Sequence, residues 1–290
     1  MAIESKFIDV LGSKMHYTEM GEGNPILFLH GVPASSYLWR NVMPHLASLG
    51  RCIAPDLIGF GRSGKPDITY SIHDHIKYIE AFIKALDLKK LVLVMHGYGS
   101  IIGFDYAMKH QSNCAGIVFY EAFLRPIDMN DISLPYQEQL VSLQAQDAMA
   151  DMQLNGTSFI DRVIPQMVMR KLSHEEIQQY REPFLEKGSG KPISQYIHEL
   201  PNGNQTSVID KIIAEYSSKL TKSSLPKLML YSVPGFITTI ASAMWAKENM
   251  PNLEIEDIGE ELHLAQESCP ELIGESISIW LQGVEQTQAS

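Results

Sequence analysis

The sequence predicts an α/β fold in which a mostly parallel central sheet carries helices on both faces. Two apolar runs that end in glycine, NPILFLHG at 24–31 and KLVLVMHG at 90–97, are typical of parallel strands buried on both faces. Between such runs lie segments with helical apolar spacing, for example DHIKYIEAFIKALDL at 74–88. The alternation of strand and helix favours right-handed crossovers and therefore a parallel sheet.

The remaining elements follow in a regular order along the chain. Residues 4–19 contain two short alternating strands joined at Gly12, which predict a hairpin at the sheet edge. The segment RCIAPDLIGFGRSG predicts a strand and a loop, SIIGFDYAMKH a helix and CAGIVFYEAF a strand. Near the C-terminus, LPKLMLYSVPG predicts a strand, ASAMWAKENMPN a helix, LEIEDIG the last strand and PELIGESISIWLQG the closing helix.

Residues 128–222 differ in character from the rest of the chain. They are rich in Met, Gln and Glu, have helical patterns and lack a clear buried strand. Ser173 is followed three residues later by Glu176, the signature of a capping box at a helix start. We therefore predict a helical cap at 128–222, inserted into a main domain formed by 1–127 and 223–290.

Composition excludes several classes of partner. A formal net charge of −11 argues against nucleic acid or an anionic membrane, and no apolar run approaches the roughly 18 residues of a membrane span. Three isolated cysteines and an N-terminus without a secretory pattern favour a reduced, cytoplasmic setting. The sequence has no HExxH motif and no carboxylates at ligand spacing, so we expect no metal and no cofactor. We expect a monomer or homodimer that acts on a small molecule.

The stretch LVLVMHGYGSIIGFDYA, residues 91–107, has the outline of a buried strand, a tight glycine-rich turn and a helix. This outline is typical of the nucleophile elbow of an α/β-hydrolase fold, in which the neighbours of the strained apex must be small. The spacing of Gly97, Gly99 and Gly103 does not fit the GxGxxG dinucleotide turn, which also follows the first strand of a sheet. The apex position is Gly97, which has no side chain to attack a substrate.

Two further residues are placed where this fold positions its base and acid. His263 follows the last predicted strand, and Glu121 ends a very apolar strand, where a carboxylate is costly unless it is paired. We expect Glu121 to fix the tautomer of His263; the alternatives are a loop carboxylate in water and an unremarkable surface histidine. The backbone N–H that follows His30-Gly31 is placed to contribute to an oxyanion hole.

The other polar residues of these motifs have simpler interpretations. His30 and His96 are predicted to be structural, with imidazole hydrogen bonds to neighbouring loops, and Asp56 to fix the loop that it begins. The remaining histidines of polar helical stretches are predicted to be solvated. They are His73, His75, His110, His174 and His198.

With these motifs in place, the chain resembles the haloalkane dehalogenase family, in the branch that also includes coelenterazine-using luciferases. The resemblance covers nearly the whole length and rests on HGVPASSYLWR, APDLIGFGRSGKP, LVLVMHGYGSIIGFDYA, REPFL and DIGEELHLAQESCPELIG. It implies a histidine base at His263 and its orienting acid at Glu121. It also implies that the aspartate nucleophile falls on Gly97, and the halide-holding asparagine and tryptophan on Val32 and Tyr98.

The three lost positions are those that would contact a carbon–halogen bond. An alkyl-enzyme ester requires an attacking carboxylate, which glycine lacks. We therefore expect non-covalent acid–base catalysis on an apolar small molecule: isomerisation, elimination, cyclisation or water-mediated hydrolysis, in secondary metabolism. The alternatives are a non-catalytic ligand-binding protein, a dehalogenase inactivated by substitution, and a luciferase-like oxygenase.

The backbone N–H groups of Val32 and Tyr98 are expected to face this site. The Tyr98 phenol is equally consistent with a proton donor and with aromatic lining. Methionine and aromatic residues suit an adaptable apolar cavity. The predicted pocket lining is Phe159, Ile160, Ile164, Met167 and Val168 from the cap, with Trp39, Phe123 and Phe236 from the main domain.

Overall fold

A computed structural model describes residues 2–127, 134–201 and 207–289. Its centre is an eight-stranded sheet in the order β1-β2-β4-β3-β5-β6-β7-β8. β1 pairs with β2 and β2 with β4 in antiparallel fashion, and the other neighbouring strands are parallel, which confirms the predicted α/β fold. The strands are β1 Glu4–Val10, β2 Ser13–Met20, β3 Pro25–Leu29, β4 Arg51–Pro55, β5 Leu91–His96, β6 Cys114–Tyr120, β7 Lys227–Tyr231 and β8 Leu253–Asp257.

Helices cover the sheet and fill the segment between β6 and β7. A 3₁₀ turn at Ser36–Trp39 follows β3. The α-helices are α1 Met43–Leu46, α2 Ile72–Ala85, α3 Tyr98–Lys109, α4 Leu134–Leu143, α5 Gln146–Leu154, α6 Gly156–Val163, α7 His174–Arg181, α8 Lys191–Glu199, α9 Val208–Leu220, α10 Ile240–Asn249, α11 Ala265–Ser268 and α12 Pro270–Ala289. Among the described residues, none of these helices is both long and apolar enough to cross a membrane.

Burial explains the sequence pattern of the central elements. Every residue of β5 is buried, because helices cover both faces of the strand, so its apolar run needs no alternation. α2 begins at a Ser71–Asp74 capping box and buries one face, which includes Ile76 and Ile79. His75 lies on this buried face, and its prediction as a solvated residue is wrong. Its ring packs against Tyr98 at 5.6 Å, and burial lowers the pKa of His75 to about 3.

Between β6 and β7 the described residues form helices and connecting segments and no strand. The predicted capping box is present here: Glu176 N donates to Ser173 Oγ at 3.2 Å, and Ser173 N donates to Glu176 Oε2 at 2.7 Å. We call the described part of this region, 134–201 and 207–220, the helical insertion. Within the predicted cap, residues 128–133 and 202–206 lie outside the described residues, and the division of the chain into two domains stays a prediction.

A partly buried cluster of charges joins the helical insertion to the sheet-forming part of the chain. We call Arg40, Arg170, Glu176, Tyr180 and Glu267 the anchor cluster. The Glu267 carboxylate, fully buried, accepts two hydrogen bonds from Arg40 at 2.6 and 2.7 Å, one from Arg170 at 2.9 Å and one from Tyr180 at 2.5 Å. Hydrogen bonds from Arg170 lower the pKa of Glu176 to about 2. The cluster therefore ties α7 to α11.

We predict that Glu267→Gln destabilises the protein strongly. Breaking a buried ion pair by removing one partner costs about 3–5 kcal/mol. Glu176 still pairs with both arginines, so we expect a loss near the lower end of that range. Urea unfolding monitored by circular dichroism measures the loss. Glu215→Gln, which removes the exposed partner of Lys219, is the matched control and should change the free energy of unfolding by less than about 0.5 kcal/mol. Equal effects of the two substitutions would contradict a stabilising anchor cluster.

Candidate active site

The turn between β5 and α3 places a glycine at its apex. Gly97 has φ 53° and ψ −125°, a backbone conformation that side-chain-bearing residues rarely adopt. The neighbouring Gly99 must also be small, since a Cβ atom there would lie 2.5 Å from the Leu29 carbonyl oxygen. These positions have the geometry of the predicted elbow.

Ser100 braces this turn from inside α3. Its Oγ donates to the Gly97 carbonyl at 2.6 Å and accepts from the Phe123 N–H at 3.0 Å. The hydroxyl is buried, and both bonds go to the backbone. Ser100 is therefore an early-turn residue of α3 whose hydroxyl stabilises the backbone of the elbow.

Glu121, directly after β6, presents a carboxylate that backbone donors hold in place. Its own φ is +51°, an uncommon value for a residue with a side chain and one that marks local strain. Oε2 accepts from the N–H groups of Phe236 at 2.9 Å and Ile237 at 2.7 Å, and Oε1 from that of Thr238 at 3.1 Å. Because all these partners donate, they fit an ionised carboxylate, which can only accept.

His263, after β8, completes the pair. Its Nδ1 lies 3.0 Å from Glu121 Oε2, and both side chains are almost completely buried. With the proton on Nδ1 donated to the carboxylate, the unprotonated Nε2 is free to accept. A Cβ atom at position 97 would lie 3.2 Å from this Nε2, so the imidazole faces the apex of the elbow directly.

The backbone on either side of the apex comes close to the same point. Gly31 Cα lies 3.4 Å from the position of that Cβ, so the loop that carries Val32 converges on the apex. Tyr98 is the first residue of α3, where helix N–H groups have no intrahelical acceptor. Within the described part of the chain, neither the Val32 nor the Tyr98 N–H has a backbone or side-chain acceptor.

The Tyr98 side chain is packed away in an aromatic cluster. Its ring makes edge contacts with His75 at 5.6 Å and with Tyr196 at 4.9 Å. The hydroxyl is buried with no hydrogen-bond partner among the described residues, and burial raises the pKa of Tyr98 well above its ordinary value. This packing argues against Tyr98 as a proton donor. Tyr98 is a buried core residue whose ring contacts Tyr196, which lines the cavity beside the site, but Tyr98 does not line that cavity itself.

His30 and His96 have the structural roles that their motifs predict. His30 Nε2 accepts from the Leu57 N–H at 2.9 Å, and burial lowers the pKa of His30. His96 Nε2 donates to the His263 carbonyl at 2.7 Å, and its ring lies 4.4 Å from that of His263. Burial, together with the neighbouring His263, holds the pKa of His96 well below its ordinary value. His96 is therefore neutral and steadies the backbone of the base.

Part of the predicted lining surrounds a small cavity beside the site. The cavity has a volume of about 20 Å³, and Val32, Phe159, Met167 and Phe236 are among the predicted residues that line it. Phe236 also contacts the base, with its ring 5.7 Å from that of His263. The lining residues that the sequence did not single out are Leu140, Leu143, Tyr196, Ile197 and Leu200.

The other predicted lining residues are buried but do not line this cavity. Trp39 packs against Phe28 at 5.3 Å, and the Phe123 carbonyl accepts a hydrogen bond from the Tyr216 hydroxyl. Ile160, Ile164 and Val168 are also core residues. Helical spacing identifies a buried face but not which of its residues borders a cavity. The spacing of Ile193, Tyr196, Ile197 and Leu200 in and after α8 is the signal that could have found the missed ones.

Among the residues that the structure describes, no three His, Cys, Asp or Glu side chains converge as metal ligands. The site is therefore built from an imidazole, a carboxylate and backbone donors.

Comparison with known proteins identifies the family of this chain. A family model described as alpha/beta hydrolase fold matches residues 24–164. A haloalkane dehalogenase of Sphingobium indicum is 37% identical over 285 residues, covering 96% of this chain and 95% of the relative. The chain belongs to the haloalkane dehalogenase family. Within the family, the relative from Agrobacterium fabrum is 34% identical over 274 residues, covering 94% of this chain and 90% of the relative.

Solved structures of haloalkane dehalogenases agree closely with the fold. DbeA from Bradyrhizobium elkani superposes with a TM-score of 0.94 at 34% identity, covering 99% of this chain and 100% of that protein. DatA from Agrobacterium tumefaciens superposes with a TM-score of 0.92 at 33% identity, covering 98% and 97%. The predicted α/β-hydrolase fold is confirmed.

We predict that Gly97→Ala destabilises this haloalkane dehalogenase family member by both strain and crowding. A side chain at this φ costs about 1–3 kcal/mol. The His263 ring must also shift by a few tenths of an ångström to admit the new Cβ, which would lie 3.2 Å from Nε2. Gly188→Ala is the control, because Gly188 has φ +86° but open space around its Cβ position. Urea unfolding compares the two variants, and the imidazole NMR signals of His263 should shift in Gly97→Ala alone. Equal losses with unmoved signals would contradict close approach of His263 to the apex.

Proposed function

We propose that this family member is an enzyme that performs non-covalent acid–base chemistry on an apolar small molecule. His263 is the base, and Glu121 is the residue that positions it. The observation that carries the proposal is the approach of His263 Nε2 to the side-chain-free apex, 3.2 Å from where a Cβ of residue 97 would lie. An imidazole so placed can accept a proton from a bound molecule, but the elbow offers no atom for a covalent bond.

The positions that correspond to the family's nucleophile and halide ligands support the loss of dehalogenase chemistry. Gly97 takes the place of the nucleophilic aspartate, and Val32 and Tyr98 take the places of the halide-holding asparagine and tryptophan. Displacement of a halide needs both an attacking group and stabilisation of the departing anion. Ser100 does not replace the missing nucleophile, because its hydroxyl already donates to the Gly97 carbonyl and accepts from the Phe123 N–H.

The remaining groups suit proton transfer next to a carbonyl. His263 Nε2 removes a proton from a carbon or hydroxyl of the substrate, or from a water molecule that attacks it, and the Glu121 carboxylate stabilises the resulting imidazolium. The unpaired N–H groups of Val32 and Tyr98 stabilise the oxyanion or enolate that forms. Return of the proton from His263 to another atom gives isomerisation, elimination or cyclisation. Delivery of the activated water gives hydrolysis.

A non-catalytic ligand-binding protein is the second candidate, and the absence of a side chain on Gly97 favours it, because the elbow then carries no attacking group. A volume of about 20 Å³ is of the order of the space for one water molecule, whereas small-molecule sites occupy about 300–1,000 Å³. Binding of a substrate next to His263 therefore requires side chains of the helical insertion to move. We propose that this insertion, within the predicted cap at 128–222, covers the site of the main domain at 1–127 and 223–290.

We predict that His263→Ala lowers turnover by about 10²- to 10⁴-fold, the contribution of a positioned general base. The purified protein is incubated with a metabolite extract, and mass spectrometry identifies compounds that the wild type converts. Glu121→Gln should lower the same conversion, since the base loses its charged partner. His110→Ala, at a half-exposed ion pair with Glu80, is the control. Conversion that survives His263→Ala would exclude catalysis by His263 and Glu121. A compound that the protein binds but leaves unchanged would indicate the ligand-binding protein.

We predict that the wild type releases no halide from 1-bromobutane and forms no alkyl adduct. A variant that combines Gly97→Asp, Val32→Asn and Tyr98→Trp restores the attacking carboxylate and both halide ligands, so an alkyl adduct or bromide should appear. Intact-protein mass spectrometry and a bromide assay measure these products. Bromide release by the wild type at rates above the uncatalysed reaction would show that dehalogenase chemistry persists.

A further inference from the structure

A second histidine–carboxylate pair lies at the antiparallel edge of the sheet, and it is joined to a serine. His16 Nδ1 lies 2.7 Å from Asp56 Oδ2, and His16 Nε2 lies 2.8 Å from Ser5 Oγ. His16 and Asp56 are buried, with exposed fractions of 3% and 1%, whereas Ser5 is exposed. We call Ser5, His16 and Asp56 the edge triad.

Hydrogen bonds fix the direction of each proton in the edge triad. Asp56 accepts from the backbone N–H groups of Ser36 and Arg62, each at 2.7 Å, which also confirms its predicted role in fixing the loop. Burial alone would raise the pKa of Asp56. Hydrogen bonding and proximity to His16 outweigh this effect and hold that pKa below its ordinary value. The ionised carboxylate therefore accepts a hydrogen bond from the Nδ1–H of His16, which leaves Nε2 as an acceptor for the Ser5 hydroxyl.

Arg62 completes the arrangement around the serine. Its Nη1 donates to Ser5 Oγ at 2.8 Å, so this oxygen uses a lone pair for Arg62 and its proton for His16. The guanidinium is therefore a positive charge beside the oxygen that would attack a substrate. After attack, the negative charge lies on the former carbonyl oxygen, separated from Ser5 Oγ by the attacked carbon, and another N–H group of Arg62 can donate to it.

The edge triad lines a cavity of about 590 Å³, within the range of small-molecule sites. β1 and β2, the loop after β4 and the end of α7 surround this space, and Ile3, Tyr37, Arg62 and Lys65 contribute to its wall. It shares no lining residue with the cavity beside His263. Ligands can therefore reach it independently of the elbow.

We propose that the edge triad is a second catalytic site, in which Ser5 is a nucleophile toward small carboxylic esters with an apolar acyl group. Ser5 Oγ attacks the ester carbonyl carbon, its proton passes to His16 Nε2, and Arg62 stabilises the oxyanion. Collapse breaks the bond to the alkoxy oxygen, which takes the proton from His16 and leaves as an alcohol. Water, deprotonated by His16, then attacks the acyl-serine, releases the acid and returns the proton to Ser5. Asp56 is a positioning residue that holds the His16 tautomer.

The surroundings of Ser5 favour an apolar acyl group. Ser5 and Phe7 alternate along β1 and therefore share one face of the strand, and Ile3 lies directly before the strand in the wall of the same cavity. Ile3 and Phe7 are 38% and 48% exposed, so apolar surface flanks the nucleophile on both sides. Phe7 also packs against the His16 ring at 5.0 Å, which keeps the imidazole beside Ser5.

A purely structural role makes a different prediction. If the edge triad only fastens the loop after β4 to β2, the Ser5 hydroxyl satisfies His16 Nε2 and has ordinary reactivity. A fluorophosphonate probe separates the two roles, because it forms a stable adduct with activated serines and a mass spectrometer locates the modified residue.

The experiment uses the full chain with the fluorophosphonate and with p-nitrophenyl butyrate. We expect the wild type to form an adduct on Ser5 and to hydrolyse the ester. Ser5→Ala and His16→Gln should each lower both reactions at least about 100-fold, because they remove the nucleophile and the base. Ser13→Ala, on the same hairpin, is the control and should leave both unchanged. Thermal melting verifies folding, and Ser5→Ala is the decisive variant because it alters only an exposed hydroxyl of β1.

No adduct on wild-type Ser5, or an adduct only on another serine, would overturn the proposal. Ester hydrolysis that persists in Ser5→Ala without any adduct would also overturn it, and would assign the activity to the His263 site. The test is independent of the proposed function of that site.

Discussion

The Glu121 carboxylate is the charge around which the elbow site is organised. A buried carboxylate is strongly unfavourable unless donors surround it, and here three consecutive backbone N–H groups of 236–238 and the His263 imidazole do so. These donors come from the loops after β7 and β8, while Glu121 itself follows β6. One side chain therefore fixes the carboxyl ends of three parallel strands relative to one another, and the strained φ of Glu121 is the cost of aiming it there.

His263, which this carboxylate orients, faces Gly97, a residue without a side chain. His263 lies so close to the Cβ position of residue 97 that any larger residue would have to displace the ring by a few tenths of an ångström. Removal of the side chain leaves the Glu121 donors and the His96 bond to the His263 carbonyl intact. Under our proposal, the groups that would transfer a proton are thus separable from the group that would form a covalent bond, so the first can act without the second.

The sequence predicted the features of the site that depend on local residue chemistry, and it missed those that depend on tertiary packing or strand register. The pairing of Glu121 with His263 follows from the unfavourable placement of a carboxylate at the end of an apolar strand. His75 was mispredicted because polar neighbours outweighed its spacing from Ile72 and Ile79, which places it on the buried face of α2. The edge triad was not predicted, because it depends on strand register: Ser5 pairs with Thr18, which makes His16 its diagonal neighbour.

The two histidine–carboxylate pairs show that such a pair does not by itself define a reaction. In both, backbone N–H groups hold the carboxylate, and the carboxylate holds Nδ1, so Nε2 becomes the reactive atom. At His263 this atom faces the bare backbone of Gly97, and only a bound molecule can supply the proton. At His16 it faces the Ser5 hydroxyl, whose oxygen can attack once its proton is removed. Under our proposals the residue opposite Nε2 therefore decides between non-covalent and covalent chemistry within one chain.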